Sequence, residues 1–215
     1  MRPKVIMHAQ TSLDGRIRGF DDMGIYYAVA ARFNEDMALV GSETMYTAAT
    51  EYPPETEKDF VKPLADPDDR RMLCVVPDSR GRLSNLHVFR DSQYCRDVIV
   101  LVSASSPESY LEYLRARDYD FIVAGEDRVD LEKALEILHE SYGCKKIRTD
   151  SGGALTSALL QRGLVDEISL VVSPCLVGTD APHLFRSLSL PRRMELELKD
   201  NEVVDGHLCL IYRVL

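Results

Sequence analysis

Short apolar runs alternate with helical patterns along most of the chain. A run of about four or five apolar residues between polar or glycine positions predicts a buried strand, and apolar residues spaced three or four apart predict one face of a helix. The predicted strands of this part are 5–9, 37–40, 72–76, 98–102, 120–124 and 146–149. The first and last predicted helices of this part are 26–34 and 154–162. Between them, one predicted helix begins at 105–108 and runs to Arg117, and another begins after Asp130. This alternation is typical of an α/β fold with a mainly parallel sheet.

The pattern becomes strand-like after residue 165, with predicted strands at 167–174, 194–203 and 207–214. The last two are joined by Val204, Asp205 and Gly206, which is a hairpin signal. We therefore expect a three-layer α/β architecture whose mixed, mainly parallel sheet ends in a C-terminal antiparallel hairpin. The length of 215 residues favours a single domain that spans residues 1–215.

A long polar segment interrupts the alternation between residues 51 and 71. It is rich in proline and charge, with Pro53 next to Pro54 and Asp68 next to Asp69. Such composition predicts a surface loop, and long loops of this kind are often functional.

Composition limits the possible partners. The formal net charge of −9 leaves no broad electropositive surface for nucleic acid or an anionic membrane. The chain has no apolar run of about 18 residues that could cross a bilayer, and its start lacks the pattern of a signal peptide, so we expect a cytoplasmic protein. The five cysteines are widely spaced and none forms a Cys-x-x-Cys pair, which predicts reduced thiols and no metal site.

The first candidate for chemistry is Asp150-Ser151-Gly152-Gly153, at a strand-to-helix junction. Paired glycines let a phosphate approach the backbone, and the N-terminus of the following helix favours an anion, so the segment could seat a pyrophosphate. A tight turn without any ligand explains the glycines equally well. The same four residue types surround the nucleophile of trypsin-like proteases, but the α/β context and the lack of a histidine assigned beside Ser151 argue against that interpretation.

Two further junctions have the same character. Residues 41–44 (Gly-Ser-Glu-Thr) follow a predicted strand and open a helix, so they are either an ordinary cap or part of a phosphate site. Residues 77–82 (Pro-Asp-Ser-Arg-Gly-Arg) follow the strand 72–76 and form either a solvated turn or a site for a ribose phosphate. The dinucleotide-binding pattern Gly-x-Gly-x-x-Gly is absent from the sequence. We expect one extended nucleotide to meet such junctions, in a fold other than the Rossmann fold.

Residues 12–16 (Ser-Leu-Asp-Gly-Arg) follow the first predicted strand. Asp14 beside the Gly15 turn could act as an acid, a base or a substrate anchor. Turn formation alone also accounts for an Asp-Gly pair.

Taken in order, these segments resemble the reductase domain of riboflavin biosynthesis, a branch of the dihydrofolate-reductase-like superfamily. The resemblance covers nearly the whole chain. Its most specific motif is 163–167 (Gly-Leu-Val-Asp-Glu) followed by 173–178 (Ser-Pro-Cys-Leu-Val-Gly). The other anchors are 12–16, 40–44, 76–79, 129–131 and 151–153.

The resemblance implies NADPH as the hydride donor, a homodimer, and a small heterocyclic substrate. It further implies that a ribosylaminopyrimidine phosphate is reduced to its ribitylamino product by hydride delivery to the C1′ atom of the sugar. By resemblance, the residues that line the reaction site are Asp14 and Asp150. Those that contact NADPH are Gly41, Thr44, Asp78, Ser79, Arg80, Gly125, Ser151, Gly152 and Gly153, and those that contact substrate are Ser12 and Arg32.

The chain departs from the family pattern at two places. Many members carry Glu at the position of Asp150, and many carry an Asp-Asp-Pro loop where this chain has 46–49 (Tyr-Thr-Ala-Ala). The second departure leaves two alternatives open, a reductase of another pterin or pyrimidine-like heterocycle and a non-catalytic NADPH-binding module.

Overall fold

The structure is a computed structural model that describes residues 1–21, 23–62, 64, 66, 68–90, 92–151 and 153–215. Two compact units make up the chain. The first comprises Met1–Pro3 and Asp36–Lys145, and the second comprises Lys4–Glu35 and Lys146–Leu215.

The described residues form strands and helices in the following order along the chain. The strands are β1 (Lys4–Ser12), β2 (Met37–Leu39), β3 (Met72–Pro77), β4 (Cys95–Val102), β5 (Asp120–Val123), β6 (Lys146–Thr149), β7 (Glu167–Ser173), β8 (Leu196–Val204) and β9 (His207–Val214). The helices are α1 (Gly24–Ala30), α2 (Ser42–Thr50), α3 (His87–Arg90), α4 (Glu108–Ala116), α5 (Leu131–Tyr142) and α6 (Ala154–Gln161), and a 3₁₀ turn covers Glu57–Phe60.

The first unit contains a parallel sheet with the strand order β5-β4-β3-β2. Its central strand β4 is buried from Asp97 to Val102, and the last five of these residues are apolar, as expected for a strand covered on both faces. Because the four strands run in the same direction, their carboxyl ends lie at one edge of this sheet. The loops that follow them carry the candidate residues of this unit.

The second unit contains a mixed sheet with the strand order β6-β1-β7-β9-β8. Strand β1 pairs in parallel with β6 and β7, whereas β9 pairs antiparallel with β7 and β8. The turn between β8 and β9 has positive φ at both Asp205 (47°) and Gly206 (78°), which is the geometry of a tight hairpin. The predicted mixed, mainly parallel sheet with a C-terminal antiparallel hairpin is therefore confirmed.

The sequence-based prediction of the first helix was wrong at its C-terminal end. Helix α1 ends at Ala30, and the next turns are made by i to i−3 bonds, from Arg32 N to Val29 O and from Phe33 N to Ala30 O. Asn34 then adopts a positive φ of 49° and turns the chain. The apolar period continued past the helix because the Phe33 side chain is buried even though its backbone is not helical.

The segment between 51 and 71 is attached to α4 at its described residues. Glu55 accepts hydrogen bonds from Arg117 Nε at 2.6 Å and from the Tyr113 hydroxyl at 3.1 Å. The Arg117 guanidinium lies 4.1 Å from the centre of the Phe60 ring and 3.9 Å from that of Tyr113. An arginine that stacks on two rings and pairs with a carboxylate fixes the start of this segment against the first unit.

Two further findings concern the cysteines and the helices. All five cysteines are free thiols, and four of them are buried while Cys175 is partly exposed. None of the helices in the described ranges combines the length and the apolar character needed to cross a membrane.

We expect Arg117→Met to lower the free energy of unfolding by about 2 kcal/mol, because it leaves the largely buried Glu55 carboxylate without its cation. The same variant should increase the rate of proteolysis between residues 51 and 62, because this part of the segment loses its anchor. Urea unfolding and limited proteolysis with mass mapping measure the two effects.

Arg115→Met provides the matched control, because Arg115 lies in the last turn of α4, two residues before Arg117. Arg115 pairs with Glu108 in a solvent-exposed position, so its loss should change stability by less than about 0.5 kcal/mol. Equal effects of the two variants would contradict the anchoring role of Arg117.

Candidate active site

The turn after β6 places a carboxylate, a buried hydroxyl and a glycine within five residues. Gly153 caps α6 with φ 75° and ψ −111°, a conformation that only glycine adopts readily. The described atoms nearest to a Cβ placed there are Arg186 Nε and Nη2, both at 4.0 Å, so the backbone is open to a ligand on that side. Thr149 is fully buried and its hydroxyl has no hydrogen-bond partner among the described residues. Gly152 lies outside the described residues.

Asp150 belongs to a network of ionised side chains centred on Arg148. Arg148 Nη1 donates to Asp150 Oδ2 at 2.9 Å, and its Nε donates to Glu35 Oε1 at 2.5 Å. A weaker contact of 3.4 Å joins Arg148 Nη1 to the Tyr26 hydroxyl. Burial opposes the charge of Arg148, but the two carboxylates outweigh it and raise the pKa of the guanidinium. Of the two carboxylate side chains, that of Asp150 is partly exposed, at 31%, whereas that of Glu35 is only 6% exposed.

His8 supports this network from the centre of β1. Its ring stacks on Tyr26 with a centroid distance of 4.4 Å, and its Nε2 lies 3.0 Å from Tyr26 O. Because a carbonyl can only accept, Nε2 carries the proton and Nδ1 accepts from the Ser169 hydroxyl at 3.0 Å. Burial lowers the pKa of His8 to about 4, so the ring is neutral at physiological pH.

Asp14 organises a loop of the second unit. Its carboxylate accepts from the Ser12 hydroxyl at 2.6 Å, from Val177 N at 3.1 Å and from Gly178 N at 2.8 Å. These hydrogen bonds, led by that of Ser12, hold the pKa of Asp14 well below its usual range. Such a carboxylate stays ionised and is unsuited to donate a proton near neutral pH.

Arg32 and Asp150 are not brought together within the second unit. Arg32 pairs with Glu202 on β8, whereas Asp150 pairs with Arg148 on β6, and the strands β1, β7 and β9 separate the two. Arg32 also lines a cavity of about 180 Å³ with apolar side chains of α1 and β9.

Asp78 and Ser79 build the loops of the first unit. The buried Asp78 carboxylate accepts from the backbone N–H groups of Arg82 at 2.7 Å and Leu83 at 2.8 Å. The Ser79 hydroxyl accepts from Val129 N at 2.9 Å and thereby joins the loops after β3 and β5. Both side chains therefore shape the backbone, and any contact with a ligand would come in addition.

The other candidates of this unit differ in how they are engaged. Gly125 has a φ of 88°, and a Cβ there would lie 2.2 Å from Arg128 O, so loop packing alone requires a glycine. Gly41 accepts from the backbone N–H of Thr44 at the start of α2, and the Thr44 side chain is exposed. Arg80 is exposed and makes no hydrogen bond or ion pair within the described part of the chain. An unengaged guanidinium next to a βα loop is suited to a phosphate.

Sequence reasoning missed three residues around Asp150, namely Arg148, Glu35 and Tyr26, and also Arg186 near Gly153. The first could have been found, because an arginine in the otherwise buried run Ile147 to Thr149 requires a carboxylate partner. Its partner Glu35 is distant along the chain, and no local pattern identifies it.

The chain is similar to proteins of known type. A model of the RibD C-terminal domain family matches residues 3–210. The 2,5-diamino-6-ribosylamino-4(3H)-pyrimidinone 5′-phosphate reductase of Archaeoglobus fulgidus is 28% identical over 209 residues, which cover 92% of this chain and 92% of that protein.

Solved structures share the fold. The RibD structure from Acinetobacter baumannii matches with a TM-score of 0.69 and 18% identity over 100% of this chain, which spans 58% of that longer chain. A pyrimidine reductase-like protein from Corynebacterium diphtheriae matches with a TM-score of 0.69 and 19% identity, over 99% of this chain and 92% of that one. The predicted dihydrofolate-reductase-like α/β fold is therefore confirmed.

We expect stability to fall as the pH is lowered from about 6.5 towards 4, because His8 binds a proton in the unfolded chain before it does so in the folded one. Over this range the free energy of unfolding should fall by up to about 1.4 kcal/mol per pH unit from this group alone. Urea unfolding at several pH values between about 5 and 7 measures the slope.

His8→Gln should reduce that slope, since a glutamine takes up no proton and can still donate to Tyr26 O. His183→Gln is the control, because it replaces an exposed histidine outside the contacts of His8. An unaltered slope in His8→Gln would show that His8 does not carry the effect.

Proposed function

The chain belongs to the RibD C-terminal domain family, and from that premise we propose that it is an NADPH-dependent pyrimidine reductase of riboflavin biosynthesis. Its substrate is a 5-amino- or 2,5-diamino-6-ribosylaminopyrimidine 5′-phosphate, and its product is the ribitylamino compound. The substrate is of the kind named for the Archaeoglobus relative.

The observation that carries the proposal is the turn after β6. Asp150 is partly exposed, the Gly153 backbone is open on its Cβ side, and α6 begins directly after it. A helix N-terminus with an open glycine backbone favours a phosphate, and a fixed carboxylate a few residues away can meet a polar substrate. The buried hydroxyl of Thr149, the last residue of β6, has no hydrogen-bond partner among the described residues, which is a feature of sites that bind a polar group.

The two units contribute different residues to the proposed NADPH contacts. In the second unit, Ser151 and Gly153 would hold NADPH through the backbone of the turn. In the first unit, Thr44 and Arg80 have exposed side chains, while Asp78 and Ser79 hold the loop. The resemblance also assigns Gly41, Gly125 and Gly152 to NADPH binding, and we include them in the proposal. We also propose the homodimer that the resemblance implies.

Bound NADPH would supply a hydride, and the reaction also takes up one proton. The protein positions the C1′ atom of the opened sugar for hydride transfer and excludes competing geometries. Asp14, with its lowered pKa, serves in our proposal as an anchor for the 177–178 loop next to Ser12. Asp150 orients the substrate at the reaction site.

One observation favours a different heterocycle as the substrate. The segment 46–49 lacks the Asp-Asp-Pro sequence of many relatives, and the following segment is attached to α4 through Glu55 and Arg117. A changed loop can change the recognised ring while the NADPH contacts are retained. A non-catalytic NADPH-binding module is the limiting case of the same change.

We expect the purified protein to oxidise NADPH in the presence of either ribosylaminopyrimidine phosphate, with a loss of absorbance at about 340 nm. A dihydropterin serves as the control substrate. Turnover of the dihydropterin alone would favour the other heterocycle, NADPH binding without any turnover would favour the module, and no NADPH binding would contradict the whole proposal.

We expect Gly153→Ala to weaken NADPH binding by at least about tenfold, because a Cβ would occupy the open face of the turn. Calorimetric titration with NADPH measures the effect. Gly143→Ala is the matched control, since Gly143 also has a positive φ of 68° but caps the C-terminus of α5. Similar losses in the two variants would trace the effect to backbone strain instead of to the ligand.

A further inference from the structure

We propose that Arg148 is a positioning residue of the reductase, which acts by holding the Asp150 carboxylate in one orientation. The inference rests on the proposed function, because it assigns Asp150 to the reaction site. It concerns side chains of the second unit only.

Residues other than Asp150 also hold the Arg148 guanidinium in place. Its Nε donates to Glu35, whose side chain is only 6% exposed, and the Arg148 side chain is itself 8% exposed. Tyr26 lies beside it, and the Tyr26 ring is in turn stacked on His8. The position of Arg148 is thus fixed by β1, by α1 and by the loop after α1.

A second nitrogen of this fixed group reaches Asp150. Arg148 Nη1 donates to Asp150 Oδ2 at 2.9 Å, a distance typical of a charge-assisted hydrogen bond. Asp150 follows the last residue of β6, where no strand pairing constrains its side chain. The bond to a buried, immobile cation therefore restricts its rotamers, and it lets a partly exposed carboxylate meet a ligand in a defined direction.

A purely structural role would require only one carboxylate partner for Arg148. Glu35 alone neutralises the buried guanidinium, as Asp97 does for the buried Arg90 in the first unit. The second carboxylate adds a negative charge to the site and is not needed for that purpose. Its exposed location points to a function outside the protein core.

A double-mutant cycle tests the inference with Arg148→Ala, Asp150→Asn and the combined variant. We expect kcat/KM for the ribosylaminopyrimidine phosphate to fall by about 10- to 100-fold in Arg148→Ala, because a misplaced contact can cost this much. The combined variant should lie within about threefold of Asp150→Asn, since Arg148 acts only through Asp150. The Kd for NADPH should change by less than about threefold in Arg148→Ala.

Chemical rescue gives a readout that a structural role would not move. Guanidinium ion at millimolar concentration should restore part of the activity of Arg148→Ala and none in the combined variant. Arg90→Met is the control, because it removes a buried arginine far from Asp150 in sequence and should lower stability without changing kcat/KM below its unfolding temperature.

The outcomes separate the inference from the function on which it rests. A wild-type protein without turnover of either ribosyl compound contradicts the proposed function. A wild-type protein with turnover, combined with single-variant effects that multiply in the double variant, overturns the role of Arg148. If Arg148→Ala does not fold, Arg148→Lys retains the charge and replaces it in the cycle, with the same expected non-additivity.

Discussion

Buried arginines that must meet carboxylates hold the loops of both units in place. A guanidinium removed from water loses several kcal/mol of hydration unless it is paired and hydrogen-bonded, so each one fixes the position of its partners. Arg90 pairs with Asp97 and donates to the carbonyl oxygens of Arg117 and Asp118, which fixes the turn after α4. Arg117 holds the start of the segment after residue 51, and Arg148 holds Asp150.

The direction of the strands decides where these loops come together within each unit. In the first unit four parallel strands end at one edge. Asp78 accepts backbone hydrogen bonds within its own loop, and Ser79 joins that loop to the loop after β5. In the second unit β1 and β6 run in parallel, so the turn with Asp14 and the turn with Asp150 follow neighbouring strands. Side chains that build loops in this way occupy some of the backbone N–H groups and fix the conformation of the loops.

The two acidic residues that we propose for the reaction site differ in their surroundings. Both carboxylate oxygens of Asp14 accept hydrogen bonds, from the Ser12 hydroxyl and from the backbone N–H groups of 177 and 178. These hydrogen bonds lower the pKa of Asp14 and make it a fixed acceptor. Asp150 is tied through Oδ2 to one cation and keeps about a third of its side chain exposed. The geometry thus assigns loop organisation to the first and makes the second the better candidate for substrate contact.

The sequence by itself determined the fold class, the strand order along the chain and the family. Local patterns suffice for these, because apolar periodicity, the hairpin residues Asp205 and Gly206, and the motifs at 163–167 and 173–178 are contiguous. It did not determine that α1 stops at Ala30, since buried Phe33 continues the apolar period, nor that short α3 exists. Only the tertiary structure brought Glu35 to Arg148 across 113 positions and placed Arg32 beside Glu202 on the far edge of the second sheet. Pairing of buried charges depends on which strands become neighbours, and that choice is made by packing over the whole unit.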